Sequence, residues 1–390
     1  MEEMNELFYR EPYTKQFSSV VKKCTKCEKG FAIVLEDTAF YPEGGGQSCD
    51  TGFLDEVEVI DVQRENNEVV HYLKSPLEEG KTITGVIDWN RRFDNMQNHT
   101  GEHIVSGLIH QAYGYDNVGF HMGKDVIQID FNGPLSWKQL MEIEDTANEI
   151  VMSDRPVRIF FPDGENLKNY DYRSKKELKG KVRLVEIPEA DLCACCGTHV
   201  SFTGEIGLIK ILSVSKNRNG VRVEMLSGKR AIRCVQNVFS ANRNIMDKLS
   251  CKMYESDTAV DKMIDDHKEL VMKVNALQER LMSFKLTKME ENQPLLIDVE
   301  ENMEHVTMVH IGNAMLNDRG AGVAVVLSKE EDGYAYFICS HSVSLPSLAK
   351  ELNMQLHGRG GGREDNIQGK FLCDLDSIIY KLKQIFLNER

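Results

Sequence analysis

A long segment without proline or glycine, from about Val235 to Leu286, most constrains what this chain can form. Because those two residues are the strongest helix breakers, the segment predicts one continuous helix. Ten positions within it, spaced alternately by four and three residues, carry eight apolar side chains, which is the pattern of a coiled-coil seam. The seam comprises positions 249, 253, 256, 260, 263, 267, 270, 274, 277 and 281. Such a helix needs a partner, and we expect a homodimer formed through residues 249–281.

Regions of mixed structure flank this helix, so we expect a multidomain α+β protein. Residues 1–90 are β-rich, with branched side chains concentrated in Phe31–Leu35 and Val57–Val62. The pattern becomes helical from about Asp88 to Tyr115. We place the domain boundaries so that the chain divides into residues 1–90, 91–234, 235–290 and 291–390.

The last of these domains has the pattern of a small α/β fold. An acidic linker with one proline, residues 290–304, precedes it. Strands are predicted at 306–311, 322–327 and 334–340, followed by a helix at 345–354 and a final helix that ends near residue 387.

The net charge of the chain limits which partners it can bind. The formal net charge of −14 argues against non-specific coating of nucleic acid. Two basic stretches, 173–183 and 210–233, could still form a local face for a polyanion, although charge runs are often simply solvated. The candidate nucleic-acid contacts are Lys175, Lys176, Lys179, Lys181, Arg183, Lys216, Arg218, Arg222, Lys229 and Arg230.

Whether the ten cysteines remain thiols or form disulfides depends on the cellular compartment of the protein. No apolar run approaches the roughly 20 residues that cross a bilayer, and the N-terminus lacks the features of a signal peptide. We therefore expect a cytoplasmic protein with no membrane segment, whose cysteines remain thiols. Cys24 and Cys27 lack a second pair at matching spacing, which favours an unligated hairpin over a zinc site.

Two short motifs predict one metal site. His99 and His103 are four residues apart, so on a helix they lie on the same face. The run Cys193–His199 offers a thiolate and an imidazole on either side of a turn. Together they supply the tetrahedral nitrogen and sulfur set that Zn²⁺ prefers, with His199 as the fourth ligand. The cysteines at 193, 195 and 196 compete for the thiolate position.

Two questions about this site stay open from the residues alone. The segment His99–His103 also matches H-x-x-E-H, the inverted zinc-peptidase motif, with Glu102 as the base. That motif expects a glutamate as third ligand, so the softer pair at 195–199 argues against it. Four protein ligands also fill the tetrahedral coordination of zinc and leave no open position for water or substrate. Hydrolysis would need a displaceable ligand, a fifth water, or a zinc that only orients the substrate.

A glycine-rich segment, Phe40–Gln47, contains Gly44, Gly45 and Gly46 in succession. Three glycines destabilise a helix or a strand interior, because glycine loses the most backbone entropy on ordering. They suit a loop whose backbone approaches another group closely. A phosphate-binding loop is disfavoured, since the Lys-Ser/Thr that completes that motif is absent.

In combination, these motifs resemble the editing domain of alanyl-tRNA synthetases and its free-standing relatives, the AlaX proteins. The resemblance lies in His99–His103, in Cys195–Val200, in Thr203–Gly207 and in Phe40–Gln47. Residues 360–369 resemble the glycine-rich stretch of the C-terminal DHHA1 domain of the synthetases. The motifs occur in the family's order over nearly the whole chain, and no region remains for an aminoacylation core.

The resemblance implies a small N-terminal β-barrel, a zinc-binding editing domain, a coiled-coil segment and a DHHA1-like domain. It favours Cys195 as the thiolate, although Cys196 stands where the synthetases have glycine. It implies hydrolysis of the ester joining serine, or glycine, to tRNA(Ala), with Thr100 and the loop from Gly44 to Gln47 at the aminoacyl end. The alternatives are a non-catalytic tRNA-binding or assembly protein with a structural zinc, and a different zinc hydrolase.

Overall fold

A computed structural model describes residues 6–163, 166–174 and 182–387. The chain divides into two compact units, Met1–Arg243 and Asn244–Arg390. Both mix helices and sheets, which confirms the expected α+β class. Within the described part of the chain, no helix combines the length and apolar content needed to cross a membrane.

The first unit contains most of the strands. They are β1 (Gln16–Cys27), β2 (Gly30–Leu35), β3 (Gly52–Leu54), β4 (Val57–Glu65), β5 (Glu68–Leu73), β6 (Thr82–Ile87), β7 (Asn117–Met122), β8 (Ile127–Phe131), β9 (Arg158–Phe160), β10 (Leu184–Ile187), β11 (Asp191–Ala194), β12 (Ile209–Asn217) and β13 (Gly220–Ser227). Its helices are α1 (Leu7–Arg10), α2 (Trp89–Tyr113), α3 (Trp137–Met152) and α4 (Gly228–Leu249), the last of which continues past Asn244 into the second unit.

The β-rich N-terminal region closes into a barrel with the strand order β1-β2-β5-β4-β3-β6. Closure pairs every strand edge and leaves an interior that side chains fill, here with Ile33, Leu54 and Leu73, all fully buried. Cys24 and Cys27 lie in the hairpin of β1 and β2. The glycine-rich segment Phe40–Gln47 lies between β2 and β3, and its first two residues pack in the barrel core.

Helix α2 is the central element of the rest of this unit. Asp88 caps its N-terminus, and Gly114 ends it in the left-handed conformation at φ 69°. Every residue of the helix from Asn95 to Ile109 is buried, and two glycines in this stretch admit close neighbours. A Cβ on Gly101 would lie 2.1 Å from Ser227 Oγ, and one on Gly107 would lie 2.2 Å from the Ala190 carbonyl oxygen. The sheet β12-β13-β8-β7, the smaller sheet β11-β10-β9 and helix α3 complete the layers of this part of the unit.

The second unit consists of a long helix and an α/β fold. Its elements are α5 (Ser256–Leu286), β14 (Leu295–Glu301), α6 (His305–Asn317), β15 (Val323–Glu330), β16 (Gly333–Ser340), α7 (Pro346–Gln355), β17 (Arg359–Gly362), β18 (Asn366–Phe371) and α8 (Leu375–Leu387). The sheet order is β14-β15-β16-β18-β17, and β14 and β15 are parallel.

The prediction of one continuous helix over 235–286 is wrong. Helix α4 ends at Leu249 and α5 begins at Ser256. Between them, Ser250 and Tyr254 adopt left-handed backbone conformations, with φ 52° and 78°. The absence of proline and glycine removes the strongest helix breakers, but it does not prevent a break that other residues can adopt at a modest cost.

Because of this break, the predicted seam is divided between two helices, and most of it faces solvent within the single chain. Leu270, Val274 and Leu277 are 59%, 52% and 62% exposed. Among the described side chains of α5, Met282 and Leu286 are the buried ones, and they pack in a cluster that includes residues of α6. The homodimer through 249–281 stays a prediction.

Two predictions in the C-terminal region are also wrong. The expected linker 290–304 contains strand β14, whose Asp298 is buried. The expected strand 306–311 is the start of helix α6. This segment buries Met308, Ile311 and Met315, which recur at helical spacing, so the run of branched residues was a misleading signal.

Candidate metal centre

The four predicted zinc ligands lie together in the first unit. His99 and His103 occupy one face of α2, and Cys195 and His199 follow β11. One ligand atom from each lies within 4.8 Å of all the others. The Cys195 Sγ is 3.4 Å from both His99 Nε2 and His199 Nε2. A tetrahedral ion at about 2.0–2.3 Å from each ligand separates its ligand atoms by roughly 3.3–3.7 Å, so this cluster could hold a metal ion.

Each imidazole is oriented by a contact to its other nitrogen. Gln47 Oε1 lies 2.9 Å from His99 Nδ1, and Asp191 Oδ2 lies 2.8 Å from His103 Nδ1. These oxygens accept, so both Nδ1 atoms donate, and the two Nε2 atoms are the ones left to bind a metal ion. Such outer contacts are the usual means by which proteins fix the tautomer of a metal-binding histidine.

The third histidine, His199, contacts Thr100 Oγ1 at 3.2 Å through Nδ1. The same hydroxyl donates to the Met96 carbonyl at 2.8 Å and accepts from the Val200 backbone N–H at 3.2 Å. Because its one proton is used toward Met96, the hydroxyl acts as an acceptor toward His199. The Nε2 of His199 is thereby left to face Cys195.

Electrostatics distinguish the three competing cysteines. Burial alone would raise the pKa of the Cys195 thiol, but the imidazoles of His99 and His103 outweigh it and hold that pKa well below its usual value. Burial raises the pKa of Cys193 and of Cys196, and their thiols stay protonated. The structure therefore brings a thiolate to the cluster at Cys195, which is the form that binds metal.

Protons on the histidines respond to the same charges. Burial lowers the pKa of His199 to about 3, so this imidazole is neutral. Burial also acts to lower the pKa of His103, but the Cys195 thiolate and Asp191 raise it to about 10. Without a cation, His103 thus carries a proton, and a bound metal ion must displace that proton.

The glycine-rich loop reaches the cluster from the barrel. Besides contacting His99, Gln47 accepts from the Thr198 backbone N–H at 3.1 Å and donates to the Thr198 hydroxyl at 2.9 Å. Gly46 packs so closely that a Cβ would lie 2.5 Å from the ring of Phe120, and this ring stacks on His99 with centroids 5.4 Å apart. The groups that the glycine-rich loop approaches closely are therefore protein atoms around the histidines.

Glu102 lies on the same helix but makes different contacts. Its carboxylate accepts from Ser106 Oγ at 2.6 Å and from the Asn117 side chain. It does not belong to either group of residues, among those described, that could hold a metal ion. In the part of the chain that the structure describes, the group of possible ligands around His99 and His103 contains Cys195 and His199 and no glutamate, and Cys195 as a metal ligand stays a prediction.

Asp191 was missed at the sequence level. It is buried, holds His103, and forms a bidentate ion pair with Arg173 at 2.7 and 2.9 Å. Together with His103 and Cys193 it forms a second group of possible metal ligands that shares His103 with the first. Asp191 lies two residues before Cys193 on β11, which places both side chains on one face of the strand, but the sequence pattern predicts no strand there.

The residues predicted to contact nucleic acid lie in different environments. Lys175, Lys176, Lys179 and Lys181 lie outside the described residues. Arg183 is buried and donates to the Cys195 carbonyl at 2.7 Å. Arg222 pairs with Asp130, and Arg230 pairs with Asp94. Lys216, Arg218 and Lys229 are exposed. The basic stretches therefore do not form one uniform face.

Comparison with known proteins gives matches at both ends of the first unit. The family model "Threonyl and Alanyl tRNA synthetase second additional domain" matches residues 182–224, which include Cys195 and His199. The model "tRNA synthetases class II (A)" matches residues 6–91, which form the barrel region.

Similar whole proteins extend these matches. The chain is 29% identical to alanyl-tRNA editing protein AlaX-L of Pyrococcus horikoshii, over 93% of this chain and 94% of that protein. It is 31% identical to an alanine–tRNA ligase of Pyrococcus abyssi, over 94% of this chain and 42% of the ligase. It is 34% identical to alanyl-tRNA editing protein Aarsd1-A of Xenopus laevis, over 60% of this chain and 58% of that protein.

The fold and these matches define a relative of the accessory domains of threonyl and alanyl tRNA synthetases. Within that class, the chain is matched over nearly its whole length by a protein named as an alanyl-tRNA editing protein, and it is similar to a second one over 60% of its length. It spans nearly the full length of the AlaX-L relative, but less than half of the alanine–tRNA ligase.

Proposed function

We propose that this chain removes a wrongly attached amino acid, serine above all, from tRNA(Ala) by hydrolysing its ester at a zinc site. The observation that carries the proposal is the cluster of three imidazoles and one thiolate, with ligand atoms within 4.8 Å of one another. The similarity to proteins named as alanyl-tRNA editing proteins supports the substrate.

The donor set suits zinc, which favours imidazole nitrogen and thiolate sulfur in tetrahedral geometry. When bound, zinc would supply a Lewis acid for the ester carbonyl or for water. The chain's own residues prepare the ligands. Gln47 and Asp191 fix the tautomers of His99 and His103, and they do so before any substrate arrives.

We assign Thr100 to positioning His199. Its hydroxyl is fully buried and already has three partners, so it is committed within the protein. The aminoacyl end is then left to the glycine-rich loop around Gly44 and Gly45. A site that hydrogen-bonds the serine hydroxyl can reject alanine strongly, because alanine leaves the polar groups of the site unpaired.

We also propose that the protein works in the cytoplasm as a homodimer. The exposed apolar side chains of α5, including Leu270 and Leu277, support an association through this helix.

A second candidate is a tRNA-binding protein whose zinc is structural. It is favoured by one observation: four protein ligands complete a tetrahedral set, as is usual in structural zinc sites. The two candidates differ in whether the wild-type chain releases the amino acid.

The test is deacylation of Ser-tRNA(Ala) and Ala-tRNA(Ala), with zinc content measured on the same samples. We expect the wild type to release serine, and His103→Ala to lose zinc and to fall by about 100-fold or more in kcat/KM. His110→Ala, on the same helix but outside the cluster, should behave as wild type. A wild type that binds zinc but releases serine no faster than His103→Ala would support the structural candidate.

A further inference from the structure

A groove of about 950 Å³ lies on the first unit beside the glycine-rich loop. Four parts of the chain line it: Ser48 just after that loop, the first turns of α2, the turn between β7 and β8, and the start of α4. The side chains that matter here are Trp89, Arg91, Phe93, Asp94, Lys124, Lys229, Arg230 and Arg233.

The groove is basic in a strongly acidic chain. Five cationic residues and two acidic residues line it. The cations are Arg91, Lys124, Lys229, Arg230 and Arg233, and the acids are Asp88 and Asp94. The whole chain has a net charge of −14. Local accumulation of the opposite sign in a concave site attracts an anion in spite of the overall charge.

The five cations differ in how far the described residues of the protein engage them. Arg230 pairs with Asp94, and Arg91 donates to the Cys49 carbonyl at 2.8 Å. Lys124, Lys229 and Arg233 are exposed, and none forms an ion pair with a described residue. Several unpaired cations converging on one groove suit a ligand with repeated negative charges.

The other wall of the groove is aromatic. Trp89 and Phe93 lie one helical turn apart with their rings stacked, at a centroid distance of 5.6 Å and an angle of 26°. Both are half-buried and line the groove. Aromatic side chains beside a cationic track are the usual means of binding single-stranded nucleic acid, because bases pack on the rings and phosphates meet the cations.

The groove is close to the metal centre. Ser48 lines it, and the preceding residue, Gln47, contacts His99. Met122 also lines it, and its backbone N–H donates to the Gly46 carbonyl at 3.1 Å. The groove and the cluster therefore lie on either side of the same loop, through Ser48 and Gln47.

We propose that this groove binds the single-stranded 3′ end of the substrate RNA, with Lys124, Lys229 and Arg233 on its phosphates and Trp89 and Phe93 against its bases. The assignment deepens the proposed function and rests on it. Of the described residues expected from the sequence to contact nucleic acid, Lys229 and Arg230 line this groove, whereas Lys216, Arg218, Arg222 and Arg183 do not.

Binding is measured first, without any catalytic step. The chain has two tryptophans, so Trp137→Phe leaves Trp89 as the single fluorescent reporter. An RNA oligonucleotide that ends in CCA and carries no amino acid should quench this fluorescence in a saturable way. Its affinity should fall as salt rises. Lys229→Glu and Lys124→Glu should each weaken binding by about tenfold and reduce the salt dependence.

Lys138→Glu is the matched control, because it makes the same change in charge at an exposed lysine on α3, outside the groove. Binding should be unaffected. Equal weakening by Lys138→Glu and Lys229→Glu would overturn the proposal, as would equal quenching by polyglutamate, because the groove would then recognise charge and not RNA. Circular dichroism checks that the variants fold, and Lys229→Gln gives a milder second variant.

Deacylation separates this proposal from the function on which it rests. For Ser-tRNA(Ala), Lys229→Glu should raise KM by about tenfold with little change in kcat, while hydrolysis of seryl-adenosine should be unchanged. A wild type that binds the RNA in the groove but deacylates nothing would contradict the proposed function alone. A wild type that deacylates, with a KM insensitive to Lys229→Glu and Lys124→Glu, would contradict the groove alone.

Discussion

The chain has two glycine triplets, and the structure uses them differently. Gly44–Gly46 belong to a loop that leaves the barrel and ends at Gln47, beside His99. Gly360–Gly362 lie in β17, the exposed edge strand of the second unit's sheet. In the first triplet Gly45 and Gly46 adopt positive φ angles, at 60° and 88°, whereas none of the second does.

The space around the two triplets differs as well. A Cβ on Gly46 would lie 2.5 Å from the Phe120 ring, which packs on a proposed metal ligand. A Cβ on Gly360 would lie 2.3 Å from both the Gln368 carbonyl and the Tyr336 hydroxyl, within its own sheet. A Cβ on Gly361 would meet nothing within 4 Å. Three successive glycines therefore allow close packing beside the proposed metal ligands in the first triplet and close packing between strands in the second.

The largest expected effect is on the residue that follows the first triplet. Gln47→Leu removes the acceptor for His99 Nδ1 and should lower zinc affinity by about 10- to 100-fold. Competition with a chelator measures this. Gln63→Leu, at a barrel glutamine that contacts Glu43 and Asp61, should leave zinc affinity unchanged. Unaltered affinity in Gln47→Leu would show that the loop does not support the cluster.

A smaller effect is expected from the backbone of the first triplet. Gly46→Ala combines a disfavoured φ with the clash against Phe120 and should reduce the free energy of unfolding by about 3 kcal/mol. Gly45→Ala has a similar φ but open space, and should cost about 1 kcal/mol. Urea unfolding gives both values. If the two cost the same, contact with Phe120 is not what requires glycine.

The smallest effects are expected in the second triplet. Gly360→Ala should cost about 1–2 kcal/mol because Gln368 and Tyr336 must shift, and Gly361→Ala should change stability by less than about 0.5 kcal/mol. Zinc affinity should be unchanged in both variants. A loss of zinc in either one would remove the distinction between the two triplets.

The elements that could be predicted are those with strong local patterns. Helix α2 follows its expected bounds because Asp88 and Gly114 cap it and its apolar residues recur at helical spacing. Helix α6 was mistaken for a strand because Val306 to Ile311 is short and rich in branched residues, and its burial depends on packing against β15 and β16. The break at Ser250–Tyr254 carries no proline or glycine, so the sequence offers no signal for it.

The sequence by itself determined that His99 and His103 share a helix face, because the helical repeat places positions four apart on one side. It also indicated that a thiolate and His199 could complete the ligand set. Only the tertiary structure decided which groups orient the imidazoles. Gln47 meets His99 across 52 residues and Asp191 meets His103 across 88, so local spacing carries no information about either contact. The charges that lower the pKa of Cys195 likewise arise when histidines on α2 meet a turn that follows β11.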